Sequence, residues 1–553
     1  MDDSKNPYWK RWADKRRSRR GFLVQASSLA VGTAALGLVG CGGDDDSTGS
    51  TPAAGGKTAA AGTPKTGGTL QIAYGLEPSS LDPHSGVSGG DNYFYEDMFD
   101  VLIQRDNTNT LQGSLSLAES WEVTDPTTLT LHLRKGVQFH DGTPFNSETV
   151  AWNVDRVKDP NVKSPSRATW LGIDKVDTPD ENTAILHLKN PNAGLLMLLS
   201  SRGGAMVSRA AVEKYGDQFR SHPVGTGPFT FETWTPGSEV RMKKNPNYWG
   251  KDAAGSQLPY LDGVTLRIIP DSTAAFAALQ TGDVQLGGID PKDLDQAKGI
   301  PGLQIVQRKG SGLASVMIVN KRGPGGDNIN FRKAVMYAID PAAAKQAVFF
   351  GQADVADAGH WPAGTWVYEP IPSRPKFDLA KAKEYLQASG VDPNTEFQIM
   401  TWESRTIIQQ GELYQEALRT LGLKTKITTM AVGPATKEIF EGTAFTLYSS
   451  SWSLYPEPDY IASTIFDKDA YYNTGKTQTD KVQQLILDGR KEYDQAKRKT
   501  IYNEMAAAVL DDAWHVPMLY GIAFAGLGKN VRGGDQLYNG DAKWRYRSLW
   551  LNA

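Results

Sequence analysis

Cysteine is almost absent. Cys41 is the single one in 553 residues, so no intramolecular disulfide can form and one thiol is left with one role to explain. Histidine is scarce as well, seven in all. His132 and His140 fall in a stretch that reads as scaffold. His84, His222 and His360 lie far apart in sequence without the spacing of a zinc site, and no metal is assigned. HExxH does not occur, which leaves zinc-peptidase chemistry without a signal. Two Gly-Lys-Thr triplets, at 56–58 and 475–477, imitate a phosphate loop. That loop needs a glycine five residues before the first of the three, where Thr51 and Ala470 stand. No cofactor is expected. Excess positive charge is missing too: 59 Lys and Arg face 62 Asp and Glu, a formal charge of -3. A chain of this balance is a poor candidate for nucleic acid, which needs basic patches. No internal repeat is visible.

The start is locally basic, with eight Lys and Arg against three Asp and Glu in residues 1–40. Residues 1–40 read as a signal peptide: Lys15 to Arg20 is basic, and Gly21 to Gly40 is apolar and built of small residues. Ser18-Arg19-Arg20-Gly21-Phe22-Leu23 is similar to a twin-arginine export motif. Leu38-Val39-Gly40-Cys41 is similar to a lipobox, which implies a lipid on Cys41 and attachment to the outer face of the cytoplasmic membrane. Residues 42–66 carry almost no large apolar side chain and cannot bury enough surface to fold. They are expected to act as a tether, 41–66 with the lipidated cysteine.

The remaining length exceeds one ordinary domain. Its most informative stretch is 117–154. Leu129, Leu131 and Leu133 alternate with Thr130, His132 and Arg134, a period of two that puts the leucines on one face of a strand. Asp125-Pro126 and Asp141-Gly142 supply turns. Asn146 or Ser147 can cap a helix burying Val150, Val154 and Val157. The run LAESWEV, then LRKGVQFHDGTPF, then this helix resembles the family 5 solute-binding proteins of ABC importers, the group with oligopeptide-, dipeptide- and nickel-binding members. GGTLQIAYGLEPSSLDP (67–83), HPVGTGPF (222–229), the Trp234–Gly237 turn and NPNYWG (245–250) extend the resemblance.

The resemblance implies an α/β, two-lobed periplasmic-binding-protein fold of type II with an extra small subdomain in the first lobe. The expected boundaries are 67–310 for lobe I, with the subdomain at about 96–210, 311–515 for lobe II, and 516–553 for a return to lobe I. Helices are read at 93–104, 330–340, 378–389, about 407–421 and, as one long stretch, 480–510. Strand 315–320 and the segment Val516–Tyr520 mark two crossovers, and two crossovers make a hinge.

A protein that encloses its ligand needs aromatic walls and a few polar groups. Trp402 and Trp452 end predicted strands, where open α/β sheets place ligands. Tyr455, Glu457 and Asp459 follow, and Tyr74 opens a loop that in the resembled family lies near the ligand. One departure matters. Peptide-binding members carry an Asp three residues after the tryptophan matching Trp452, and it pairs with the peptide amino group. Tyr455 stands there, so Glu457 or Asp459 would have to substitute. The expectation is a non-enzymatic, monomeric, lipid-anchored receptor that binds a small solute, a peptide first, and delivers it to an ABC permease. A sugar, opine or metal chelate is the alternative solute. A surface sensor or chaperone on the same scaffold and an exported hydrolase are the alternatives of other classes.

Overall fold

The computed structural model describes residues 62–106, 110–308, 313–453, 457–474, 479–538 and 543–552. The signal peptide, Cys41, nearly all of the tether, Tyr455 and the 475–477 triplet lie outside these residues.

Two mixed sheets organise the chain. The first has seven strands in the spatial order Gln304–Arg308, Ala523–Leu527, Leu286–Gly288, Thr69–Tyr74, Gly263–Ile268, Glu239–Lys244 and Phe229–Thr235. Thr69–Tyr74 runs parallel to both of its neighbours. The second has six: Ala353–Val355, His515–Gly521, Leu313–Val319, Leu447–Ser453, Glu396–Trp402 and Lys424–Met430. Alternating helix and strand in the second lobe build its parallel part, with Arg405–Thr420 between Glu396–Trp402 and Lys424–Met430.

A third, four-stranded antiparallel sheet forms the small subdomain: Ala118–Asp125, Thr128–Leu133, Thr183–Leu188 and Ile173–Asp180. The two-residue period predicted here holds. Leu129, Leu131 and Leu133 are buried and share a core with Val150, Val154 and Val157 of helix Ser147–Lys158. Asn146 caps that helix, accepting from Thr149 N while the Thr149 hydroxyl receives the Asn146 N–H.

Three expectations are corrected. The helix read over 93–104 spans only Asn92–Tyr95. Beyond it the carbonyls of Asp97 and Met98 accept from Phe229 N and Gly227 N, both at 3.0 Å. HPVGTGPF lies so close here that a Cβ on Gly227 would sit 2.6 Å from Asp97 O, and one on Gly225 2.3 Å from Met98 O. Glycine is required for that approach. The single helix read over 480–510 is two, Asp480–Lys491 and Gln495–Asp512, with Asp494 capping the second through Lys497 N. The return expected at Val516 comes later. His515–Gly521 pairs within the second sheet, and after Ile522 alone the chain enters the first as Ala523–Leu527.

The two lobes are thus joined by a pair of adjacent strands. Gln304–Arg308 is antiparallel to Ala523–Leu527 in one sheet, and Leu313–Val319 is antiparallel to His515–Gly521 in the other.

Candidate functional site

The strand joining the lobes leaves two strand ends facing across a seam. Thr69–Tyr74 ends in Tyr74, whose half-buried ring stacks on Tyr93 at 4.5 Å. Trp544 stands edge-on to both, at 6.3 Å and 5.2 Å. Across the seam, Leu447–Ser453 carries Trp452. Its half-buried indole is edge-on to Tyr472 at 5.0 Å and also touches Phe440 and His515. Each lobe therefore offers an aromatic wall, a large contact area with little conformational freedom to lose.

Polar contacts tie the walls together. Lys543 Nζ, from the first lobe, donates to Ser453 Oγ of the second at 3.1 Å. Tyr472 OH donates to Val87 O at 2.9 Å. Arg405, at the start of a second-lobe helix, forms a bidentate pair with Asp290 of the first, its Nε 2.6 Å from Asp290 Oδ2. These contacts exist only while the lobes are together.

The loop after Tyr74 is fixed from behind. Asp91 accepts from Ser79 N, Ser79 Oγ and Ser88 N at 2.7, 2.6 and 3.1 Å. Burial pushes its carboxyl up to about 6, against the pull of Arg202 and these bonds. Arg202 NH2 donates to Ser88 O and Asn92 Oδ1, each at 2.9 Å. Further along the loop, Asp82 takes a two-pronged bond from Arg156, which also donates from NH1 to His84 Nδ1 at 2.8 Å. His84 Nε2 then faces Ala205 O at 2.8 Å, so this ring is the Nε2–H tautomer and is neutral. The SLDPH motif thus anchors the loop to helix Ser147–Lys158.

Of the residues read from sequence, the structure brings Tyr74 and Trp452 to the seam. Trp402 is half-buried at the end of Glu396–Trp402, three residues before Arg405. Glu457 and Asp459 require a correction. Both are buried and both are taken by arginines. Glu457 Oε1 pairs with Arg498 NH2 at 2.5 Å and caps the short helix Pro458–Ile461. Asp459 Oδ1 accepts from Arg490 Nε and from Tyr502 OH, each at 3.1 Å, and its Oδ2 accepts from Ser463 Oγ at 2.9 Å. Arg490 also reaches Asp467 at 3.0 Å. Burial pushes the Glu457 carboxyl up and Arg498 opposes the shift. An acid so held has no charge to spare for a solute ammonium, and the expectation that one of the two replaces the amine-binding Asp is withdrawn.

The sequence reading missed Tyr93, Tyr472, Lys543, Trp544 and Arg405. Tyr93 sits within Asn92-Tyr93-Phe94-Tyr95, an aromatic density that composition alone shows. Nothing local marks Lys543, which meets Ser453 from 90 residues away.

The comparisons with known proteins agree with this architecture. The family model described as bacterial extracellular solute-binding proteins, family 5 Middle, matches residues 114–473. The glutathione-binding protein GsiB of Escherichia coli K12 is 28% identical over 482 residues, covering 84% of this chain and 91% of the relative. Among solved structures, the periplasmic binding protein DppA of Helicobacter pylori in complex with peptide STSA gives a TM-score of 0.79 at 25% identity. It covers 88% of this chain and 99% of its own. AgaA of A. tumefaciens R10 with agropinic acid gives 0.80 at 24%, with the same coverage of 88% and 99%.

Proposed function

The chain belongs to the bacterial extracellular solute-binding proteins of family 5, the solute-binding components of ABC importers, and on that premise we propose that it encloses one small solute between its lobes and presents the closed form to a membrane permease. The observation that carries this reading is the pair of facing aromatic walls, Tyr74–Tyr93–Trp544 and Trp452–Tyr472, bridged by Lys543–Ser453 and Tyr472–Val87. Contacts that form only on closure give a ligand something to stabilise. Adjacent linking strands supply the bend about which closure occurs. The reading needs no reaction.

Peptides, glutathione and opines are the solute types bound by the relatives named above, and a small peptide-like solute fits a cleft with aromatic walls. The arginine-held Glu457 and Asp459 argue against selection of a free amino terminus by either acid. Trp402, Trp452 and Tyr74 are the proposed wall residues. Among the described residues no helix is long and apolar enough to cross a membrane. Attachment is assigned to a lipid on Cys41, which Leu38-Val39-Gly40-Cys41 supports.

A native mass spectrum of the purified protein should show a bound small molecule. X-ray scattering should give a smaller radius of gyration with ligand than after its removal by unfolding and refolding. An identical radius at saturation would refute closure. For the anchor, Cys41→Ala should release the mature-sized protein from membranes or block processing, and membrane partitioning at mature size like the wild type would refute the lipid.

A further inference from the structure

The small subdomain meets the second lobe at a place apart from the aromatic walls. Three of its segments do so: the turn at Pro126, the helix Arg167–Trp170 and the loop at Ala193–Gly194. Leu188 N donates to Thr127 O at 2.7 Å and Lys189 N to Gly172 O at 2.9 Å, so all three lie at one end of the four-stranded sheet. Ala193 N donates to Arg490 O at 2.9 Å. Tyr493 OH donates to Pro126 O at 3.0 Å. Gly194 comes so near the second lobe that a Cβ on it would lie 3.1 Å from Asp459 Cβ. Arg167–Trp170 packs on the turn Ala462–Phe466. On the second lobe these contacts fall around the break between helices Asp480–Lys491 and Gln495–Asp512. Carbonyls in the last turn of a helix have no partner within it, and Arg490 O takes its donor from across the seam. The Arg490 side chain is held by Asp459 at 3.1 Å and Asp467 at 3.0 Å, and Tyr502 and Ser463 brace Asp459 in turn. Two buried acids thus build a rigid seat beneath Ala193 and Gly194. The subdomain is also far from the bend. The linking strand Gln304–Arg308 is one edge of the seven-stranded sheet, and Phe229–Thr235 is the other. The subdomain adjoins the second of these. His140 N donates to Gly225 O at 2.8 Å and His140 Nε2 faces Gly227 O at 3.0 Å, just ahead of that strand.

We propose that the small subdomain is the latch of the closed form, with the Asp459–Arg490–Asp467 cluster as its seat. This rests on the reading that the lobes close around a solute, and deepens it. The solute lies between the walls, and the subdomain holds the lobes together at the end away from the bend. Contacts at that end separate most when the lobes swing apart. In the open form Ala193 N, Arg490 O, Tyr493 OH and Pro126 O return to water, so each pair contributes only the modest net stabilisation of a hydrogen bond exchanged with solvent. None of these groups belongs to the aromatic walls. The latch therefore acts on every solute alike. It shifts the balance between open and closed forms and slows release, with no part in choosing the solute. The extra subdomain and the two buried acids share one role.

The test uses two variants of the full-length mature protein. Tyr493→Phe removes one bond and keeps the ring, and Gly194→Val drives a branched side chain against Asp459. Glutathione, Met-Leu and any solute that co-purifies, identified by native mass spectrometry, are titrated calorimetrically into each variant and the wild type. Release is timed by stopped-flow tryptophan fluorescence. Urea unfolding confirms that each variant is folded. The expected result is an affinity lower by about three- to tenfold in Tyr493→Phe and by more in Gly194→Val. The factor should be the same for every solute that the wild type binds, and it should come from faster release. Unchanged affinity in both folded variants overturns the proposal and leaves the solute-binding reading standing. A loss confined to one of several solutes, or one carried by slower association, overturns it as well. A wild type that binds neither probe and carries no co-purified molecule overturns both readings.

Discussion

His84 should make the protein acid-sensitive by an amount that can be worked out from its two hydrogen bonds. Nδ1 accepts from Arg156 NH1 and Nε2 faces Ala205 O. Adding a proton at Nδ1 would set one N–H against another beside a guanidinium, in a residue with no exposure. Burial, and then Arg156, therefore lower its pKa from 6.5 to about 4, against the pull of Asp82 and Ala205 O. In the unfolded chain the ring titrates near its ordinary value. Between those values the unfolded state binds more protons, so stability is lost as pH falls. The loss is negligible at pH 7 and amounts to about 2 kcal/mol at pH 5. Asp91 and Glu457, whose pKa values are raised, act with the opposite sign, so the total pH dependence mixes several groups. A difference experiment isolates the one of interest. His84→Gln keeps an acceptor for Arg156 and a donor for Ala205 O but cannot titrate. Urea unfolding followed by tryptophan fluorescence, at pH 7 and pH 5, should show wild type losing about 2 kcal/mol more than the variant over that interval. Equal losses in the two proteins would refute the argument, because the titrating group would then lie elsewhere.

Arg498→Leu alone should destabilise the second lobe by about 3–5 kcal/mol, since it strands Glu457 in a buried site. Arg498→Leu with Glu457→Leu should recover most of that in urea unfolding, and a double variant as unstable as the single would show that the pair does more than neutralise itself. Gly227→Ala, which would force a Cβ to 2.6 Å from Asp97 O, should cost about 1–3 kcal/mol in first-lobe stability, whereas Gly142→Ala, with open space around its Cβ but a φ of 84°, should cost about 1 kcal/mol through backbone strain alone. Asp290→Asn and Arg405→Gln should each shift the lobes toward the open arrangement. The change would read as a larger radius of gyration and a solute affinity lower by a few-fold, about 1 kcal/mol for a partly exposed pair.

The family and much of the local structure could be read without coordinates because they rest on interactions a few residues long. The leucine alternation at 129–133 and the Asn146 cap are settled by neighbours within one turn or one strand. Each is a local hydrogen bond or a period, and both leave a mark in the sequence. Trp452 followed from the rule that sheets of this kind bind at the ends of their strands, and Tyr74 from the family resemblance of the loop it opens.

What the sequence could not decide was which partner wins when two are available. A helical pattern after Tyr95 loses to HPVGTGPF, whose backbone claims the carbonyls of Asp97 and Met98 from 130 residues away. Strand His515–Gly521 stays in the second sheet because Leu313–Val319 is there to pair with it. Glu457 and Asp459 are turned from the cleft by Arg498 and Arg490, 41 and 31 residues downstream. Lys543 gains its place only because Ser453 and Tyr93 are brought beside it. Composition and periodicity fix how a segment folds on itself. The orientation of a buried charge is fixed by whichever opposite charge or hydroxyl the tertiary fold delivers, since a charge out of water must be met by a partner and the sequence does not say which one arrives.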